Sequence, residues 1–126
     1  SEVFSKLTSM IGHWAVRGHG LWAIDSRESG DYLGWVGIIR PPEWDEPELA
    51  WTLFAHAEGK GIAFEAARAA RAYAAQHLGQ DGVISYLDAK NTRSIALARR
   101  LGAKFERNGT ILDHDVLIYR HPKEAA

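Results

Sequence analysis

A chain of 126 residues, 46% hydrophobic and 25% charged, is sized for one domain with one modest core. Its formal net charge of -1 argues against nucleic acid or an anionic membrane as the main partner, although it is compatible with a local basic patch. The absence of cysteine excludes disulfides, thiolate metal sites and a cysteine nucleophile and fits a cytoplasmic setting; no apolar run approaches a membrane span, and no signal-peptide pattern opens the chain.

In chain order, residues 13–27 (HWAVRGHGLWAIDSR) are rich in aromatic and branched residues and read as an extended strand bulged at its glycines. ESGD at 28–31 is a turn signal, and YLGWVGII at 32–39 reads as the returning strand of a hairpin over 19–39. RPPEWDEPE at 40–48 holds three of the four prolines and predicts a loop. LAWTLFA at 49–55 has the apolar run of a strand covered on both faces. From Gly61 to about Leu78, Ile62, Ala66, Ala69, Ala70, Tyr73, Ala74, His77 and Leu78 recur at helical spacing, with Gly79 as the stop. GVISYLDA at 82–89 is a second covered strand, and NTRSIALARRLG at 91–102 is a short amphipathic helix ending at Gly102. Residues 103–109 and 111–120 read as a closing hairpin turning at NGT.

Strand 48–55, helix 61–78 and strand 83–88 form a crossover, which implies parallel neighbours and a right-handed connection. The flanking hairpins add antiparallel strands. The predicted fold class is α/β of the α+β kind, a single domain over 1–126 with a mixed, mostly antiparallel central sheet and helices on both faces.

HAEGKGIAFEA at 56–66 places Gly59 and Gly61 between a covered strand and a helix. Free N–H groups and the helix dipole make such a junction an anion site, and glycines let a phosphate approach the backbone. The loop is neither GxxxxGK[ST] nor GxGxxG, and from these residues alone a plain strand-to-helix turn remains the other reading.

Elsewhere, DHD at 113–115 with His121 suggests a metal cluster, but on a strand Asp113 and Asp115 share one face and His114 the other, so no metal site is expected. His13 and His19 read as surface histidines flanking a strand. The five tryptophans at 14, 22, 35, 44 and 51 read as packing residues, with Trp14, Trp22 and Trp35 also candidates for an acceptor wall. Arg68, Arg71, Arg99 and Arg100 read as the solvated face of two helices.

ELAWTLFAHAEGKGIAFEAARAARAYA followed by SYLDAKNTRSIALARRLGAKFE resembles the GNAT superfamily of N-acetyltransferases, and most of all its RimJ/RimL-like branch, which acetylates protein N-termini and small amines. Three features carry the resemblance, which runs over about residues 11–120: Trp51 on the strand ahead of His56-Ala57-Glu58-Gly59-Lys60-Gly61-Ile62-Ala63, Asn91 after the next strand, and the helix with Ser94 and its terminal RRLGAKFE. The resemblance implies a GNAT-like acyl-CoA acyltransferase fold and acetyl-CoA as co-substrate, with no metal. It implies that the backbone of Glu58, Gly59, Lys60, Gly61, Ile62 and Ala63 holds the pyrophosphate. Trp51, Thr52 and Leu53 would pair with the pantetheine arm, Asn91 would bond it from the opposite side, and one or two of the arginines would reach the 3′-phosphate.

The implied reaction is direct attack of a primary amine, on a protein N-terminus or a small molecule, in a ternary complex. Leu53 N–H would polarise the thioester carbonyl. Glu48 is either a general base or an ordinary exposed strand-end acid. Ser94 is either a donor to the leaving sulfur or a locally satisfied serine in the first helical turn. The family's tyrosine acid falls on Ala98 here, and Glu58 departs from the usual loop residue. The resemblance also implies that the chain opens inside or after the family's N-terminal strand and helices, with SEVFSKLTSMIG as the tail of the second helix. That would leave the acceptor side open and a sheet edge exposed, which points either to an N-terminally incomplete domain or to a chain that completes itself by pairing with another, as a homodimer would. The expected partners are a small-molecule or peptide amine, with neither nucleic acid nor membrane. The alternative is a CoA-binding domain without catalytic activity.

Overall fold

The computed structural model describes residues 2–124. Its elements are helix α1 (Glu2–Arg17), strands β1 (Leu21–Asp25), β2 (Tyr32–Ile39) and β3 (Glu48–Leu53), helix α2 (Ile62–His77), strand β4 (Ile84–Leu87), helix α3 (Thr92–Arg100), and strands β5 (Lys104–Ile111) and β6 (His114–Arg120). A 3-10 turn, Ala55–Ala57, follows β3. The six strands form one sheet in the order β1-β2-β3-β4-β6-β5, antiparallel throughout except between β3 and β4.

Helix α2 lies close to the sheet because the residues it turns inward are alanines. Ala67, Ala70 and Ala74 pack against Val36, Ile38 and Leu49, with Val83 and Leu101 closing the same cluster. A smaller cluster joins α3 to the far strands through Leu87, Ala98, Ala103 and Tyr119. Trp51 packs against both.

The structure corrects several expectations. Residues 13–17 belong to α1, not to a strand, and Gly18 (φ 77°) ends the helix. Their strand-like composition is overruled by tertiary contacts, since Trp14 donates from Nε1 to Leu21 O at 2.9 Å and meets Trp22 edge-on. The last hairpin turns at Leu112 and Asp113, both with positive φ, and not at NGT. Gly109 lies inside β5, where a Cβ would come within 2.7 Å of Ile118 Cδ1, so close packing is what calls for glycine there. Asp113 is therefore a turn residue, and the shared strand face expected for Asp113 and Asp115 does not arise. His19 is buried: its Nδ1–H donates to Ile38 O at 2.6 Å. His13 bridges His19 O and the Arg40 amide. Arg71 is also buried, so it is no part of a solvated face.

Strands β3 and β4 share one ladder pair, Glu48↔Ile84. Beyond it the Glu48 side chain takes the place of a neighbouring strand, with Oε2 accepting from Tyr86 N at 2.8 Å and Oε1 from Trp44 Nε1 at 2.8 Å. On the other side of the seam Ser85 Oγ donates to Leu49 O at 2.6 Å. Burial lowers the His121 pKa to about 4, with the Arg71 charge adding to the shift, so the ring is neutral. Its Nδ1 accepts from Arg71 at 3.2 Å, and Nε2–H therefore donates to Ser85 Oγ at 2.8 Å. Arg71 is completed by Leu101 O and Glu124, both at 2.6 Å. One chain of hydrogen bonds thus ties α2, α3 and the residues after β6 to the parallel seam between β3 and β4.

The two buried groups at this seam give opposite pH dependences. His121 drops from 6.5 to about 4 on folding, so its contribution is whole above pH 6.5 and is lost as pH falls through 4. Burial raises Glu48 from 4.5 to about 7, so its contribution is whole below pH 4.5 and is lost as pH rises through 7. Melting temperature against pH should therefore lose its acid-side fall in His121→Gln and its fall toward pH 7 in Glu48→Gln. Curves parallel to wild type in both variants would refute these assignments.

Candidate functional site

The backbone of β3 is polarised by its pairing. Phe54 N donates to Leu33 O at 2.9 Å, so in the antiparallel ladder Trp35–Thr52 is also a hydrogen-bonded pair. The N–H and C=O groups of Leu49, Trp51 and Leu53 consequently face away from β2, toward β4. The Ser85 bond to Leu49 O confirms that direction. Past the single ladder pair β4 has moved away, and Trp51, Thr52 and Leu53 line a cavity of about 480 Å³ in the gap.

The loop after β3 closes one end of this cavity. Gly59 (φ 80°) and Gly61 (φ 76°) are both left-handed, and Gly61 caps α2 with no side chain covering the helix start. A Cβ built on either glycine meets nothing within 4 Å, so the backbone there is open. The first-turn N–H groups of α2 are left for a ligand, and the helix dipole favours an anion. Ile62 and Ala63 line the same cavity.

Helix α3 forms the opposite wall with Asn91, Arg93, Ser94 and Arg100. Asn91 is its N-cap: Oδ1 accepts from Ser94 N at 3.1 Å, which leaves the Nδ2 amide as donor. Trp51 Nε1 reaches across from β3 and donates to Ser94 Oγ at 3.2 Å. Arg93 pairs with Glu58 at 2.8 Å over the mouth. Arg100 lies over the Phe64 ring, 4.7 Å from its centre.

Ten of the residues proposed from sequence thus share one cavity: Trp51, Thr52, Leu53, Glu58, Gly59, Gly61, Ile62, Ala63, Asn91 and Ser94. Lys60 and Glu48 do not. Lys60 lines a larger cavity, about 1150 Å³, between α2 and the β1–β2 hairpin. Glu48 lies buried at the other end of β3, beneath Trp44 and Tyr86; it is not the exposed strand-end acid that sequence also allowed. Tyr86 in turn donates to Asp45 at 2.7 Å, and burial followed by that bond raises its pKa.

The three tryptophans considered for one acceptor wall are divided. Trp22 meets Trp14 and Tyr73 beside α2, whereas Trp35, one residue along from Val36 and so on the other sheet face, meets Phe54. Arg93 escaped sequence reasoning altogether, because its value comes from facing Glu58 across a gap between distant segments. Among the described residues no group of histidine and carboxylate side chains has the arrangement of a metal site, and no helix is long and apolar enough to cross a membrane.

The sequence matches the Acetyltransferase (GNAT) domain family over residues 2–104. The crystal structure of an acetyltransferase from Agrobacterium tumefaciens is similar to it with a TM-score of 0.82 and 35% identity, over 90% of this chain and 67% of that one. A ribosomal-protein-S5-alanine acetyltransferase from Vibrio fischeri matches with a TM-score of 0.76 and 12% identity, over 95% of this chain and 70% of that one. A spermidine N-acetyltransferase chimera from Vibrio cholerae and hSSAT matches with a TM-score of 0.71 and 15% identity, over 97% and 77%. The last two likenesses are of fold alone. The family match spans most of the chain and the fold agrees with it, so the chain belongs to the GNAT acetyltransferase family.

Proposed function

We propose that this chain transfers the acetyl group of acetyl-CoA to a primary amine, in the cytoplasm, by direct attack in a ternary complex. The observation that carries the reading is the gap between β3 and β4, where backbone groups of Trp51 and Leu53 face a cavity that ends at an uncapped helix. An extended amide-bearing arm can pair with β3 as a strand would. An anionic group at its end meets the first-turn N–H groups of α2 and the Arg93 and Arg100 guanidiniums.

In this reading Leu53 N–H stabilises negative charge on the thioester oxygen. Ser94 Oγ–H serves the departing sulfur. Asn91 Nδ2–H bonds the arm from the α3 side. Glu48, held near pH 7 by burial, is the base. It stands five residues from Leu53, roughly 16 Å along an extended strand, buried and outside the cavity, so it can take a proton from the incoming ammonium only over a chain of waters. The acceptor is the amine of a protein N-terminus or of a small molecule, as in the RimJ/RimL-like branch. An α-amino group, with a pKa of about 8, needs less deprotonation than a lysine at about 10.4. Among the described residues no further strand pairs with the outer edge of β1, which supports a homodimer.

A second reading is CoA binding without turnover. It is favoured by Ala98, which stands where the family's acid is expected and is fully buried with no polar group to offer.

Calorimetric titration with acetyl-CoA should give one site per chain. Gly61→Val, strained by about 1–2 kcal/mol at its positive φ, should abolish that binding while the chain stays folded. Retained binding would remove the loop from the site. Release of free CoA with a panel of amines separates the two readings, since tight binding with no release favours the second. Where release occurs, kcat should rise with pH through about 7. Glu48→Gln should lower kcat roughly 100-fold and flatten that rise; an unchanged profile would dismiss Glu48 as the base.

A further inference from the structure

A serine hydroxyl has one proton to donate and two lone pairs. Inside a helix that proton is commonly given to a carbonyl one turn back. Thr8 of α1 behaves in this way, with Oγ1 reaching Phe4 O and Ser5 O, both at 3.0 Å. Ser94 does not. Its amide is held by Asn91 Oδ1 at 3.1 Å, and its hydroxyl oxygen accepts the Trp51 indole N–H at 3.2 Å. Among the described residues the Ser94 hydroxyl donates to no protein acceptor. An indole N–H can only donate, so the Ser94 proton cannot point back at Trp51. The free direction is the cavity that both residues line.

The arm that sets this orientation is rigid. Trp51 packs against both core clusters and stands edge-on to His121, with ring centres 6.3 Å apart and planes at 85°. His121 is itself held by Arg71 and Ser85. The contact also joins the two sides of the gap, because Trp51 belongs to β3 and Ser94 to the helix after β4. The indole therefore fixes the position of Ser94 relative to the strand edge as well as the direction of its proton.

We propose that Trp51 is a positioning residue that aims the Ser94 hydroxyl proton into the cavity for delivery to the leaving sulfur. The inference rests on the acetyl-transfer reading above. As the amine nitrogen bonds to the carbonyl carbon, the carbon–sulfur bond breaks and its electron pair stays on sulfur. Ser94 gives its proton to that sulfur. Glu48 takes the first proton, the one that frees the lone pair of the ammonium; the second, shed as the nitrogen becomes an amide, goes directly or through water to the oxygen lone pair not used by Trp51, so Ser94 ends as it began. Occupation of the first lone pair by a donor also makes the hydroxyl a better proton donor.

Two measurements on the whole chain test this. Indole 15N–1H spectra of wild type and Ser94→Ala should show the Trp51 Nε1–H signal shifted far more than those of the other tryptophans. In steady-state kinetics Trp51→Phe should lower kcat about tenfold, with KM for acetyl-CoA changed less than about twofold. The double variant with Ser94→Ala should be no slower than Ser94→Ala alone, and Ser94→Thr should retain activity. An unmoved Trp51 signal overturns the proposal, as does a Trp51→Phe effect confined to KM or one that multiplies with that of Ser94→Ala. Wild-type turnover that survives Ser94→Ala intact removes the relay and leaves acetyl transfer standing. Absence of turnover with every amine refutes the acetyl-transfer reading, and the relay with it.

Discussion

The interruption of the β3–β4 ladder after a single pair governs the rest of this molecule. A parallel strand pair would ordinarily continue for several residues and satisfy the backbone on both sides. Here the Glu48 carboxylate accepts the Tyr86 amide, so the ladder ends without leaving that donor unpaired. Ser85 does the corresponding service for Leu49 O. The separation is therefore built from satisfied polar groups and is not a defect in the sheet. Burying a carboxylate is costly, and the cost appears as the raised pKa of Glu48. Two donors, Trp44 and the Tyr86 amide, offset part of it.

Everything at the cavity inherits its geometry from that seam. Leu53 and Trp51 turn their backbone groups into the gap because the antiparallel register with β2 leaves them no choice. Helix α2 starts at the mouth because β3 ends there, and its alanine face lets it lie close to the sheet. Helix α3 is tied back across the gap by the Trp51–Ser94 contact and the Glu58–Arg93 ion pair. The two differ in kind. The indole is held within the core, whereas Arg93 is largely exposed, and such surface pairs contribute about 1 kcal/mol or less. An entering anion can displace the second without disturbing the first.

The two sheet edges are also treated differently. β5 carries Lys104, Glu106 and Arg107, and the latter two join Arg120 and Glu46 in an ion-pair network, charges that oppose pairing with another strand. β1 (LWAID) has a single charge, at its end, and borders the larger cavity with Trp22 and Ile24. Trp14 covers the carbonyl at its first residue. Among the described residues, charge therefore guards the β5 edge, whereas the β1 edge is more open.

The strand–helix–strand unit from Glu48 to Leu87 was legible in the sequence because its signals are local: an apolar run, alanines at helical spacing, and glycine stops. The open glycine loop was legible for the same reason, since backbone conformation at such positions depends on the residue itself, whereas the role of Asn91 as the cap of α3 came only with the structure. The helical state of residues 13–17 was hidden, because Trp14 is decided by Trp22 and the Leu21 carbonyl and not by its neighbours in sequence. The turn at Leu112 and Asp113 was hidden behind NGT, where glycine serves packing under Ile118. Arg71 and His19 read as surface residues and the burial of His121 went unseen, since nothing local marks a polar side chain whose partners lie on other elements. Sequence by itself determined which segments are strands and helices around the site and which loop can meet an anion. Only the tertiary structure decided that Glu48 is buried, that β3 and β4 part, and that Trp51 reaches Ser94, because each depends on groups brought together by folding across long stretches of chain.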